Sequence, residues 1–494
     1  MILTSGVHAR KRAPPKLLAQ VIELLVNGYN VDADITWVLQ HTEIHAILYV
    51  NPDGRYMAEK YPELSWRKNL NPGNARCGDT SYGVDINRNF DFKWGDQDGA
   101  SDNPCDGDYH GKSRESEPET KALAEYAKSL FPVSQRKSNP EKQMTVPFGE
   151  QVTGMYIDIH SSGGYVYYPW GHKNSKSPDD EALQAIGRKV HHFNEYKLWA
   201  GSQPDFLYEA SGDTSDYLYG VMGVASLGFE IGDDFQQKCN SFEKDVVPIN
   251  LPPLLYLAKI AQRPYKEVKG PDIFDLDARY THGEIQMSAH ASDSMMVNDI
   301  QGFPDFRTGN QKITSVQVYL DVHPDDYKQG DNSWTMRPKR RRGLKPQGTT
   351  GSISTERLIN CTRFTRKRNC KWAGGKKNKI CKWSKRDRKC RARGSAGNNS
   401  SSKPSENNVS STDSNPDEFT ASPVEDNGAL PTFNSGDEKV RLTIDASNIS
   451  LGRHTLYVQS TDSDGYRGPV SSVFVEVRQR QTESLRGSRN SFGK

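Results

Sequence analysis

The first 265 residues alternate two signals, apolar β-rich runs and stretches of helical periodicity. Residues 44–50 (IHAILYV) and 155–159 (MYIDI) are the clearest strands, and they end in loops reading NPDG and HSSGG. Helical patterns occupy 14–29, 117–131, 179–194 and 251–262. The second of these opens on Ser116, Glu117, Pro118 and Glu119, the acidic, proline-bearing start that a helix N-terminus favours. Such alternation predicts an α/β fold, a sheet with helices on both faces. Reactive side chains in these folds gather beyond the carboxyl ends of strands. That is where His8, His160 and Glu230 fall.

After Pro271 the pattern changes to short alternating strands, at 315–322, 441–446, 454–460 and 473–478. These predict a small β-sandwich in two halves. The expected division is a first domain over 1–268, sandwich halves at 269–332 and 436–478, and a disordered tail at 479–494. Between the halves, residues 333–435 are too long and too polar for an ordinary loop and are expected to be largely disordered. Within them, residues 337–393 hold 22 Lys/Arg against 2 Asp/Glu, a local charge of +20 in a chain whose net charge is +3. The remainder therefore sums to −17. Two readings of the basic stretch stand side by side: a surface for a polyanion, with Phe364, Trp372 and Trp383 interleaved, or solvated charge with no specific partner.

No run of about 18 apolar residues is present, so no membrane-spanning helix is expected. The start, MILTSGVHARKRAPPK, has no signal-cleavage pattern and reads as a strand entering a loop, from which we expect an upstream segment to be missing. Cys361, Cys370, Cys381 and Cys390 lack paired CxxC spacing and interleaved histidines. A disulfide-stapled or loosely structured module in an oxidising compartment is the reading, which places the chain in the extracellular space or secretory pathway.

Two imidazoles at strand ends and a glutamate inside the apolar run ASLGFEIG suit a Zn²⁺ ion with a general base beside it. Burying that glutamate costs several kcal/mol unless it has a task or a partner. In Asp85-Ile86-Asn87-Arg88-Asn89-Phe90, after the short strand YGVDI, an amide and a guanidinium are placed to hold an anionic terminus; a structural turn with a surface arginine is the alternative. His41-Thr42-Glu43-Ile44-His45 is not the helical H-E-x-x-H pattern and reads as strand histidines at a sheet entrance.

Taken together, the motifs GVHAR, NPDGR, SYGVDINRNFDFKWG, YHGKSRESEPET, DIHSSGG, YEASGDTSDY and GFEIG, in that order, resemble the zinc metallocarboxypeptidases of the carboxypeptidase A/B type over roughly residues 1–265. The later β-rich region looks like a sandwich appended in some members. The resemblance implies His8 and His160 as Zn²⁺ ligands and Glu230 as the general base. It implies Asn87 and Arg88 as the grip on the C-terminal carboxylate of a peptide or protein substrate. Tyr208 would cap the bound terminal residue, and Ser215 would sit at the floor of its pocket, with Asp213 and Asp216 nearby.

Two departures accompany it. The family's third ligand is a glutamate in His-x-x-Glu, whereas this chain reads His8-Ala9-Arg10-Lys11. Glu23, on the following helix, is not expected to replace it. The oxyanion-stabilising arginine would fall at Leu70, with Arg67 retained close by to supply positive charge. The expected function is zinc-dependent hydrolysis of the C-terminal peptide bond; the alternative is a catalytically impaired binding module of the same fold. Cys77 and Cys105 flank the Asn87–Arg88 loop, where a disulfide would clamp it, and Cys239 is left odd.

Overall fold

The computed structural model describes residues 1–73, 77, 81–96, 99–200, 208–296, 300, 310–339 and 433–479, together with the backbone of 381–384 and 389–392. In chain order the first half comprises β1 (Ile2–Ser5), α1 (Ala13–Gly28), α2 (Ala33–His41), β2 (His45–Ile47), α3 (Pro52–Lys60), α4 (Pro118–Leu130), β3 (Met155–His160), β4 (Tyr165–Tyr168), α5 (Asp180–Asn194), β5 (Lys197–Ala200), α6 (Thr214–Met222) and β6 (Ala225–Glu230). Then come α7 (Cys239–Ser241), α8 (Val247–Ile260) and α9 (Pro264–Glu267).

The long helices follow the periodicity. In α1, Leu17, Leu18, Val21 and Leu25 form the buried face. The nine-residue α2 and α3 are too short to show a period and are set by their caps: Asp32 accepts from the Ile35 amide at 3.2 Å, and Asn51 from the Gly54 amide at 2.9 Å. His41 therefore closes a helix, and the strand reading of residues 41–45 holds only from His45 onward. YGVDI forms no strand either. Its backbone is taken by other partners, with Val84 N donating to Asn69 Oδ1 at 2.8 Å and Asp85 N to Tyr109 O at 2.9 Å.

The sheet order is β2-β1-β3-β6-β4-β5, parallel except where β4 meets β6. All six residues of β3 are buried, the continuous apolar run of a strand covered on both faces. Register fixes the site: Ser5 lies opposite Ile159, and His160 opposite Glu230. Because β1, β3 and β6 are parallel neighbours, their carboxyl ends open onto one edge.

Downstream lie β7 (Asp272–Thr281), β8 (Glu284–Ser292), β9 (Ile313–Leu320), β10 (Ser333–Thr335) and β11 (Arg337–Pro338). The first half of the sandwich thus continues to Pro338, past the expected boundary at 332. In a separate compact unit, Ile359–Thr432, the backbones of β12 (Cys381–Ser384) and β13 (Lys389–Ala392) pair antiparallel. The rest of that unit, with most of the expected polyanion stretch and the 480–494 tail, lies outside the described residues. The sandwich is completed by β14 (Asp437–Asp445), β15 (Gly452–Asp462) and β16 (Ser471–Val477). Its antiparallel sheets, β10-β9-β15-β16 and β11-β14-β8-β7, enclose alternate residues such as Ile285, Met287, Ala289 and Ala291.

Polar contacts bind the sandwich to the first half. Asp34 of α2 accepts from Ser472 N at 2.7 Å and pairs with Lys259 at 3.1 Å. Fully buried Lys189 of α5 pairs with Asp272 at 2.8 Å. No helix among the described residues is long and apolar enough to cross a membrane.

Candidate active site

Just beyond β1, Gly6 turns the chain at φ +67°, where a Cβ would lie 3.0 Å from Leu48 O. That turn delivers His8 to the sheet edge. His8 and His160, both buried, bring their Nδ1 atoms to 3.2 Å. On its far side each ring meets a buried carboxylate: His8 Nε2 lies 3.2 Å from Asp85 Oδ1, and His160 Nε2 lies 2.7 Å from Asp158 Oδ2. A carboxylate behind Nε2 keeps the proton there and leaves the Nδ1 lone pair facing inward, as metal-ligating histidines require. Asp158 is itself fixed by Thr4 Oγ1 at 2.9 Å. Burial and the neighbouring Arg67 push His8 well below the ordinary histidine value, so the ring is neutral. Burial alone would raise Asp85, but Arg67 and His8 hold it well below the usual carboxylate range.

Lys11 occupies the third corner. Its Nζ donates to Glu230 Oε1 at 2.8 Å and Oε2 at 3.1 Å, and lies 3.2 Å from His160 Nδ1. The three protons of an ammonium are thereby used. Burial lowers Lys11 from its ordinary value, and the Glu230 carboxylate opposes that shift. Glu23 is exposed on α1 and does not line the cavity.

Arg67 faces the cavity, held by Asp85 Oδ2 through Nε at 3.1 Å and an NH2 group at 2.7 Å. Leu70 instead packs with Ala9, Ala58 and Trp66. Arg67 therefore lines the cavity beside the two histidines together with Lys11, and the apolar Leu70 supplies no charge there. Cys77 and Cys105 are joined as a disulfide; Cys239 is a free, exposed thiol.

These groups open into one cavity of about 290 Å³, whose lining also includes Asn87, Arg88, Tyr208 and Ser215. Asn87 is locked by Thr214, whose N and Oγ1 donate to Oδ1 at 3.0 and 2.5 Å. The Arg88 NH1 group donates to Asn87 O at 2.7 Å, and its buried Nε has no partner among the described residues. Ser215 lies in the first turn of α6, which Asp213 caps through Oδ1. Asp213 Oδ2 is buried without a partner among the described residues; burial and adjacent Asp216 raise this carboxyl well above its usual range. Asp216 is satisfied by His172 and the backbone of Gly171 and His172.

Three contributors escape a sequence reading: Asp158, Arg10 and the Lys11–Glu230 contact. Asp158 had a signal, since positions two apart on a strand share a face. Arg10 had none, and it lies against the Phe235 ring at 4.5 Å.

A zinc carboxypeptidase family model matches residues 1–250. Carboxypeptidase A2 of Mus musculus is 28% identical over 235 residues, covering 47% of this chain and 50% of that protein. Carboxypeptidase B2 of Bos taurus is 28% identical over 277 residues, covering 54% and 59%. The solved structure of thrombin activatable fibrinolysis inhibitor aligns at 25% identity and a TM-score of 0.44, over 53% of this chain and 61% of that one. The chain spans about half the length of curated relatives such as the A2 enzyme.

Proposed function

The chain belongs to the zinc carboxypeptidase family, and from that premise we propose that its cavity takes the C-terminal residue of a peptide or protein chain as a metallocarboxypeptidase does, for hydrolysis of the terminal peptide bond. The observation that carries this reading is the convergence of two Asp-backed imidazoles, 3.2 Å apart at Nδ1, with Glu230, Arg67 and Arg88 in one cavity. Arg88, with Asn87 fixed beside it, presents donors for a terminal carboxylate. Arg67, held at a fixed orientation by Asp85, presents positive charge where a carbonyl oxygen becomes anionic. Glu230 is the base, Tyr208 the mouth of the pocket and Ser215 its floor. Secretion fits the Cys77–Cys105 disulfide. The basic stretch 337–393 we assign to a polyanionic partner on charge alone.

The residue set fits zinc only in part. Two Nδ1 donors stand at tetrahedral-ligand separation, since Zn–N bonds of about 2.0–2.1 Å place neighbouring donors about 3.3–3.4 Å apart. The third position holds an ammonium, which repels a cation and ties up Glu230. Lys11 is therefore the residue that decides whether turnover proceeds. Its ion pair favours a second reading, recognition of chain ends without hydrolysis. The test is release of terminal amino acids from a peptide panel across a zinc titration, with and without chelator. Chelator-sensitive release supports the peptidase reading; carboxylate-dependent binding with no release at any zinc level selects the second. Peptides that bind neither way would sink both.

A further inference from the structure

Away from the active site, His41 at the end of α2 meets the loop that follows β9. Ligand atoms of His41, His323 and Asp326 all lie within 4.8 Å of one another. Among the described residues this is the one such cluster of three or more His, Cys, Asp or Glu side chains. The two imidazole centroids are 4.6 Å apart, and Trp37 and Tyr457 wall the His323 ring at 5.1 and 5.5 Å. His323 is 6% exposed, and its Nε2 is buried with no hydrogen-bond partner among the described residues. A buried imidazole nitrogen left unpaired costs free energy that a packing role alone would not recover.

We propose that His41, His323 and Asp326 form a divalent-cation site, of the Zn²⁺ class, that clasps the sandwich to the peptidase half. Two imidazoles and one carboxylate are a donor set for a borderline metal such as Zn²⁺ rather than for Ca²⁺ or Mg²⁺. Donors on one tetrahedral ion stand about 3.3–3.5 Å apart, so closing this set requires movements of about 1 Å. His41, at a helix end, and the exposed Asp326 have room to make them. A carboxylate stands near enough to turn behind His323: Asp325 Oδ2 lies 3.8 Å from Nδ1, beyond hydrogen-bond distance as placed, and a proton on Nδ1 would leave the Nε2 lone pair for the ion. That tautomer gives up the 3.3 Å contact from the Asp325 amide to Nδ1. The nearby cation, Arg263, is already paired with Asp325 at 2.6 Å. The site is independent of Lys11 and of the reading of the active-site cavity.

The test uses the full chain and Zn²⁺ alone, with binding followed by equilibrium dialysis and stability by thermal unfolding. Wild type and the active-site variant His8→Ala should both show a Zn²⁺-dependent rise in Tm, about 3 °C at a hundredfold excess over Kd. His41→Ala and Asp326→Asn should each weaken that binding by at least about tenfold and remove most of the rise. Asp326 is exposed, so its variant should match wild type in metal-free Tm. An undiminished Zn²⁺ shift in both clasp variants, or its loss in His8→Ala alone, would overturn the assignment.

Discussion

Replacing Lys11 with glutamate tests the active-site argument most directly. An ion on His160 Nδ1 would lie about 2.0–2.1 Å from that nitrogen, which is itself 3.2 Å from Lys11 Nζ. The ammonium would then be no more than about 5 Å from a double charge, a repulsion of about 7 kcal/mol at an effective dielectric constant of about 20. The alternative is for Lys11 to lose its proton. From an ordinary value of 10.5, that costs at most about 5 kcal/mol at pH 7, and less because burial lowers it. Proton loss is the cheaper route, so it sets the penalty. Wild-type zinc affinity at this site should accordingly fall short of the Lys11→Glu variant by about a thousandfold. It should also rise with pH, by up to about tenfold per unit, for as long as the lysine still holds the proton that the metal must displace. The variant, with no lysine to deprotonate, should lose that slope. Both proteins are best compared in the His41→Ala background by zinc dialysis, alongside chelator-sensitive release of terminal residues. Equal affinities, or a wild-type affinity flat with pH, would refute the assignment of Lys11 as the cation that bars the metal.

Arg88→Ala should weaken binding of a peptide with a free C-terminus about 10- to 100-fold while leaving the amidated peptide unchanged, as calorimetry would show; equal losses for both would remove Arg88 from carboxylate recognition. Burial raises Glu267 to about 7 against the opposing charge of Arg263. Its folded-state value lies above the unfolded one, so the stability it lends is full below about pH 4.5 and is lost as pH rises through 7. Urea titrations of Glu267→Gln should show a flatter profile across that window than wild type; an unchanged slope counts against it. Lys189→Ala strands the buried Asp272 carboxylate and should destabilise the chain by about 3–5 kcal/mol, whereas a loss below about 1 kcal/mol in denaturant unfolding would mean that the pair is solvated.

The parts of the fold that were legible share a cause. Buried parallel strands and long amphipathic helices write their burial into runs of residues, and so 155–159 and 179–194 are found almost at their observed bounds. Strand ends locate His8, His160 and Glu230 as soon as the sheet is assumed parallel. Elements fixed by single polar contacts leave no such trace. The helix ending at His41 depends on Asp32 as its cap, and YGVDI gives up its ladder to Asn69 and Tyr109. Sequence sets His41 beside His45, yet the ring it meets is that of His323, far along the chain. Side chains gathered by tertiary packing carry no period to read.

Lys11 belongs to neither class, because its identity was plain and only its consequence was hidden. A lysine in place of a ligand predicts loss of a metal, and on sequence alone it says nothing of what replaces it. The structure supplies the replacement: the ammonium satisfies Glu230 and His160, which would otherwise be a carboxylate and a lone pair left unpaired in a largely buried site. Asp85 and Asp158 still orient both rings as ligands, although orientation of that kind contributes nothing to a lysine–glutamate pair. A site maintained only for the ion pair would not need two carboxylates behind two histidines. Their presence argues that the imidazoles remain set for a cation, with the lysine proton as the variable that admits or excludes it.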